Sequence, residues 1–160
     1  MANYEIPVLL AAVGTGYKTA AGLQANARRV MVYEIEFGQN GALASSDCQM
    51  QWDLSRFINT NSVTATATVA QLLDLADVAA STLAFTNVTG AVDVPNLTGA
   101  GGGLFLKNWG INQRGSYRWR ALDDGDNIII ASTASQGVAL RVLSSGYTST
   151  AVGNLSFIER

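Results

Sequence analysis

Histidine is absent from this 160-residue chain, cysteine occurs once and proline twice. Without histidine the commonest general base and nitrogen ligand for metals is missing. Cys48 alone cannot close an intrachain disulfide, and no imidazole is present to activate it. A serine nucleophile would need another base, and neither Lys18 nor Lys107 lies in a Ser-x-x-Lys pattern. Paired carboxylates of the glycosidase kind meet only in space, so sequence leaves them open. The chain is expected not to be an enzyme, and no cofactor is expected.

Charge is scarce too. Only 14% of residues are charged, against roughly 25% in ordinary soluble domains. Such a shortfall points to a surface that meets other protein, or to an exterior rich in Ser, Thr and Asn. The ten Lys and Arg are scattered and the net charge is −2. Phosphate neutralisation needs clustered cations, so no nucleic-acid partner is expected. Long apolar runs are missing as well: Val8 to Val13 is far too short to span a bilayer, and no basic residue precedes it. Neither a leader nor a membrane segment is expected.

What the chain does have is alternation. Met31-Tyr33-Ile35-Phe37, Met50-Trp52-Leu54, Tyr117-Trp119-Ala121 and Val138-Leu140-Val142 are apolar positions with polar or charged residues between them. Period two buries one face of a strand and wets the other. Strands are expected over 28–37, 48–57, 62–69, 83–88, 104–111, 115–122, 127–131, 137–143 and 152–158. Residues 71–80 read either as a short helix, from Leu72, Leu75, Ala76 and Ala79, or as a loop, from Asp74 and Asp77. The glycine density of 90–103 reads as a loop. Asn40-Gly41 reads as a turn. Residues 1–27 form an extended arm and first edge strand, because Pro7 has no amide hydrogen to donate. Residues 28–160 form one domain. The expected fold is all-β, a jelly-roll-like antiparallel sandwich of about eight to ten strands. An immunoglobulin-like sandwich would be the other choice, and the single cysteine leaves it no positive mark.

Three motifs invite chemistry. Gly14-Thr15-Gly16-Tyr17-Lys18-Thr19 resembles a phosphate loop, but Tyr17 separates the glycine from the lysine, so it reads as a loop between strands. Asp123-Asp124-Gly125-Asp126-Asn127 gathers three carboxylates that could hold calcium, without EF-hand spacing, and also reads as a hairpin turn. In Tyr117-Arg118-Trp119-Arg120, strand alternation sends the rings to the core and the guanidinium groups outward. Arg118 and Arg120 are then available to carboxylates of a neighbouring subunit.

The block Leu104 to Ala121, LFLKNWGINQRGSYRWRA, resembles one in small head proteins of tailed bacteriophages. In that block a strand leads through an Asn-Gln-Arg turn into an aromatic-basic-Trp strand and an acidic turn. The element Leu73-Asp74-Leu75-Ala76-Asp77, the closing segment 137–157 and the Tyr33-Glu34-Ile35 strand add to the likeness. It covers roughly the last two-thirds of the chain, which departs from it at Asn108-Trp109-Gly110 and in the glycine-rich loop. The resemblance is to capsid decoration (cement) proteins. It implies a jelly-roll homotrimer on the outer surface of a virion capsid, with the major capsid protein as partner. Tyr4, Ile6, Pro7, Val8 and Leu9 of the arm would then lie along coat subunits, with Arg118, Arg120 and Trp109 as intersubunit contacts. The alternatives are a tail-tip or fibre receptor-binding jelly roll using Trp109 and Tyr147, a hydrolase on a β scaffold, and a trimeric jelly-roll signalling module.

Overall fold

A computed structural model describes residues 2–10, 12–42, 44–58, 66–86, 105–123, 125–132, 136–144, 146 and 148–160. Among them the chain forms twelve strands: β1 Asn3–Leu10, β2 Lys18–Gln24, β3 Val30–Asn40, β4 Gln49–Ile58, β5 Thr66–Thr68, β6 Gln71–Leu72, β7 Leu83–Thr86, β8 Phe105–Asn112, β9 Tyr117–Arg120, β10 Ile128–Ile130, β11 Gln136–Ser144 and β12 Thr150–Glu159. No helix occurs among the described residues. One sheet runs β10-β3-β12-β1-β6, with β9 also on β3, and the other runs β5-β7-β2-β11-β4-β8. All strand pairs are antiparallel.

The pairing has a simple rule. β1 pairs with β12, β2 with β11, β3 with β9 and β4 with β8. A chain folded back on itself in this way and rolled into two sheets is the jelly roll. The segment between β4 and β8 adds β5 and β7 to the edge of one sheet and β6 to the edge of the other. It therefore widens one lateral side of the sandwich. Strands β9 and β10 lie in series along β3, so the acidic turn between them does not close a hairpin. Asn40-Gly41 likewise closes none: β3 and β4 belong to different sheets, and the chain crosses between them there.

Inward-facing side chains of both sheets build the core. Trp52 of β4 stacks on Phe37 of β3 at 4.4 Å between ring centroids, joining the two sheets. Tyr4 stacks on Phe157, its directly paired neighbour in β12, at 5.2 Å. Arg56 closes one end of the gap by donating to the Ile129 carbonyl of the facing sheet at 2.8 Å.

Two features change the expected facing of side chains. A bulge shifts the β3–β12 register between Ser156 and Phe157, leaving Tyr33 as the extra residue. Inward positions are therefore Val30 and Val32 before the bulge and Ile35 and Phe37 after it, all fully buried. The expected inward run of Met31 and Tyr33 slips by one residue for that reason. On the outer face of the second sheet, Phe85 and Phe57 lie over Gly22 and Gly137, the residues directly opposite them. A Cβ at either glycine would stand 2.2 Å from the covering ring. Small residues on the central strands thus let two aromatic rings cover backbone that would otherwise face water.

The arm expected over 1–27 is instead two strands built into the sandwich, one in each sheet. Tyr4, Ile6, Val8 and Leu10 are buried in the core. The Leu73 amide donates to the Asn3 carbonyl at 3.0 Å, so odd-numbered backbone groups of β1 face away from β12. Pro7 lies beyond the end of β6, and its missing donor faces an open edge, where no ladder bond is lost. Residues 71–80 resolve to β6 followed by a turn in which the Asp77 amide donates to the Asp74 carbonyl at 3.0 Å. The strand expected over 62–69 is described only for Thr66–Thr68, and the one over 83–88 only for Leu83–Thr86. Val69 follows β5 without strand structure, and residues 62–65 and 87–88 and the loop 90–103 lie outside the described residues.

A Cβ on Gly153 would stand 2.0 Å from the Glu36 carbonyl oxygen of β3, whereas one on Gly16 would meet nothing within 4 Å. Gly153→Ala is therefore expected to lower unfolding stability by about 2 kcal/mol, as overpacking does. Gly16→Ala should leave the urea midpoint nearly unchanged.

Candidate functional site

Two buried polar centres lie among the described residues. Register places Asp53 of β4 opposite Arg141 of β11 on the outer face of their sheet. Arg141 donates from Nε to Asp53 Oδ1 at 2.8 Å and from Nη2 to Oδ2 at 3.2 Å. Ser55 donates to the same Oδ1 at 2.7 Å, and the Tyr17 ring stacks 4.7 Å from the guanidinium carbon. Asp53 is fully buried, and both of its oxygens are engaged. This centre ties β4, β11 and the β1–β2 loop together. Nothing in it is poised to act on a substrate.

The second centre sits where the chain's last strand meets the insertion. Glu159 Oε1 accepts the Thr82 amide at 2.7 Å, the Thr82 hydroxyl at 2.5 Å and the Ser81 hydroxyl at 3.3 Å. Its Oε2 takes Arg28 at 3.3 Å. Burial pushes this carboxyl up, but the hydrogen bonds from Thr82 and Ser81 outweigh burial and hold it below the usual carboxylate range. Nearby Tyr4 donates to the Val78 carbonyl at 2.8 Å. Its phenol is pushed up by burial first, then by the Glu159 charge. The geometry is that of a latch holding residues 78–82 against β12 and β1.

The motifs singled out from sequence find structural roles. Lys18 donates to the Ala12 carbonyl at 2.9 Å, and the Gly14 carbonyl accepts the Ser144 amide at 2.8 Å, so the glycine–lysine loop is a strand connection. Asp123 Oδ1 accepts the amides of Gly125 at 2.7 Å and Asp126 at 3.2 Å, which makes the acidic run a turn stabilised by its own side chain. Asp124 lies outside the described residues. Among the described residues no three His, Cys, Asp or Glu side chains gather to hold a metal.

Arg118 and Arg120 point outward, as alternation predicts, but their carboxylate is within the chain. Glu34 of the adjacent β3 takes Arg118 Nε at 2.6 Å and stands 3.7 Å from Arg120 Nε. Trp109 is half-buried and tilts against Phe37 at 5.2 Å and Tyr117 at 5.9 Å, so it closes the β8–β9 side of the core rather than presenting a free ring. Lys107 lies 5.4 Å from the Trp119 ring centre on the same side. Tyr117 is more exposed than a core ring, at 38%. Tyr147 lies outside the described residues. Of the arm residues, Tyr4, Ile6 and Val8 are buried and cannot touch a partner, while Pro7 and Leu9 remain exposed.

What the surface offers is apolar area. Leu73, Leu75, Val78, Val69 and Leu83 are all more than half exposed, Leu75 at 92%. Val69, Leu75 and Leu83 line a groove of about 430 Å³ on the lateral side built by the insertion, together with Ala67, Ala80 and Ala84. A second groove of about 400 Å³ runs beside the open edge of β1 at Pro7. Single exposed apolar residues are ordinary, but a contiguous group marks a contact surface. Sequence reasoning missed it because Leu72, Leu75 and Ala79 fit the spacing of a half-buried helix. The signal available was Asp74 and Asp77, three residues apart in what proves to be a turn.

No known protein family matches this chain, and neither does any curated protein or solved structure.

Two measurements check these assignments. Asp53→Ala removes the carboxylate from beside the buried Arg141 guanidinium and should cost about 3–5 kcal/mol. Replacing both residues by aliphatic side chains should cost distinctly less in the same urea titration. Because the folded Glu159 carboxyl lies below its unfolded range, its contribution is present above that range and lost as pH falls through the folded value. Hydrogen-exchange protection of residues 78–82, taken relative to the intrinsic rate at each pH, should therefore fall in acid, and Glu159→Gln should lower it already at neutral pH.

Proposed function

We propose that this chain is a structural virion protein that decorates the outer surface of a tailed-phage capsid and stabilises the coat lattice. The observation that carries the reading is a division of labour within the fold. Buried charges such as Asp53, Arg141 and Glu159 are committed to internal bonds, while apolar side chains gather on one lateral side. A scaffold of that kind suits contact rather than turnover. The likeness of the 104–121 block and of Leu73-Asp74-Leu75-Ala76-Asp77 to phage decoration proteins supplies the biological setting.

On this reading the partner is the major capsid protein and the working unit is a homotrimer. A protein that binds the assembled lattice and not its separated subunits stabilises the lattice by mass action. With Tyr4, Ile6 and Val8 in the core, the part left to 1–27 in coat binding is confined to exposed positions such as Pro7 and Leu9. Removing residues 2–10 would take out a strand of the sandwich rather than a detachable arm.

Quantitative mass spectrometry of purified particles is expected to find this protein in numbers comparable to the major coat protein. A handful of copies per particle would favour a tail-tip receptor-binding role. Absence from particles would sink the virion reading altogether.

A further inference from the structure

The core changes character beside the Phe37–Trp52 stack. The neighbouring inward positions are Gln39 on β3 and Met50 on β4, one from each sheet. Gln39 reaches across the gap and donates from Nε2 to the Met50 sulfur. Ser144 of β11 lies directly opposite Met50, so its side chain shares that inward face. On the other side of Trp52 the same two strands oppose Leu54 and Leu140, both fully buried. One end of the core is thus aliphatic and the other polar.

Three polar atoms of these two layers are buried and have no hydrogen-bond partner among the described residues: Trp52 Nε1, Ser144 Oγ and Gln39 Oε1. Trp52 and Ser144 are fully buried as residues. The Ser144 amide donates to the Gly14 carbonyl at 2.8 Å, which ties this point of β11 to the β1–β2 loop. Trp52 and Ser144 are diagonal neighbours on adjacent strands, a spacing of about 7–8 Å that one bridging molecule can span. The three atoms are chemically complementary. An indole N–H can only donate, an amide oxygen can only accept, and a hydroxyl does both. Buried polar groups in native folds are paired with protein or with ordered water, because leaving them unpaired is costly.

We infer that this polar layer is a binding site for an internal water molecule held between the sheets. The water accepts from the Trp52 indole, donates to Gln39 Oε1 and bonds to the Ser144 hydroxyl. Three partners are the usual complement of a buried water. None of the three groups carries a charge, which suits a neutral ligand rather than an ion. Bound there, the water links β3 of one sheet to β4 and β11 of the other, beside the aromatic stack that already joins them. The inference concerns the interior of the fold and does not depend on the virion setting.

The sign of one stability change tests it. Where a water serves Ser144, Ser144→Ala removes one of its partners and should lower the folding constant about tenfold in a urea titration. A hydroxyl that is merely unpaired would give the opposite result, because the alanine relieves its burial cost. Ser144→Ala combined with Gln39→Leu should lose less than the sum of the two single changes, since both act on one bound molecule. The direct reading is by NMR on tryptophan-labelled protein. The Trp52 indole proton should show a cross-peak to a long-lived water, weakened in Ser144→Ala. Unchanged or increased stability in Ser144→Ala would overturn the proposal, as would a Trp52 indole with no such cross-peak in the unaltered protein.

Discussion

The pairing of β1 with β12 is the constraint on which the rest of the structure depends. Eight consecutive residues at the start of the chain match eight near its end, from Asn3 against Ile158 to Leu10 against Ala151. Tyr4 and Phe157 then stack within the core, and β12 in turn carries β3 along its other side. The sheet cannot be completed until residues more than 140 positions apart have met. Contacts of that range make folding slow relative to locally connected folds of similar size. The same pairing places Glu159 beside Thr82, so closing the ladder also fastens the insertion.

Much of the fold was legible where apolar residues alternate in sequence with polar or small ones. β4 and β11 alternate in this way, although β11 is buried on both faces, and with β12 their expected and observed bounds differ by only one or two residues. β1 alternates just as clearly, with Tyr4, Ile6, Val8 and Leu10 inward. Pro7 argued for an arm because a local rule cannot tell an edge from an end. The structure satisfies that rule differently, by aiming the missing donor past β6. β2 gave no alternation to read: Ala20, Ala21 and Leu23 are fully buried, and Gly22 lies under a phenylalanine ring on the outer face. A strand covered on both faces by its neighbours has no wet side to write into its sequence. The bulge at Tyr33 was invisible for a related reason, since it exists only relative to β12.

Sites fared worse than strands. Asp53 and Arg141 are 88 positions apart, and neither sits in a motif. Their meeting is a product of register. Glu159 sits in no motif either, yet it takes bonds from Thr82, Ser81 and Arg28. The clusters that did stand out, at 14–19 and 123–126, are local sequences that satisfy their own backbone. Proximity in sequence advertised chemistry where the fold uses turns, and the buried polar centres drew their members from strands far apart.

The side-by-side placement of the outermost strands also governs how the domain responds to force. Asn3 and Ile158 lie at the same end of an antiparallel ladder. Tension applied through those two ends would load its rungs one after another and open it like a zipper. Tension applied across the lateral sides would instead be shared by all the rungs of a ladder at once. A domain wired this way is weak when pulled by its ends and strong when stretched between its flanks.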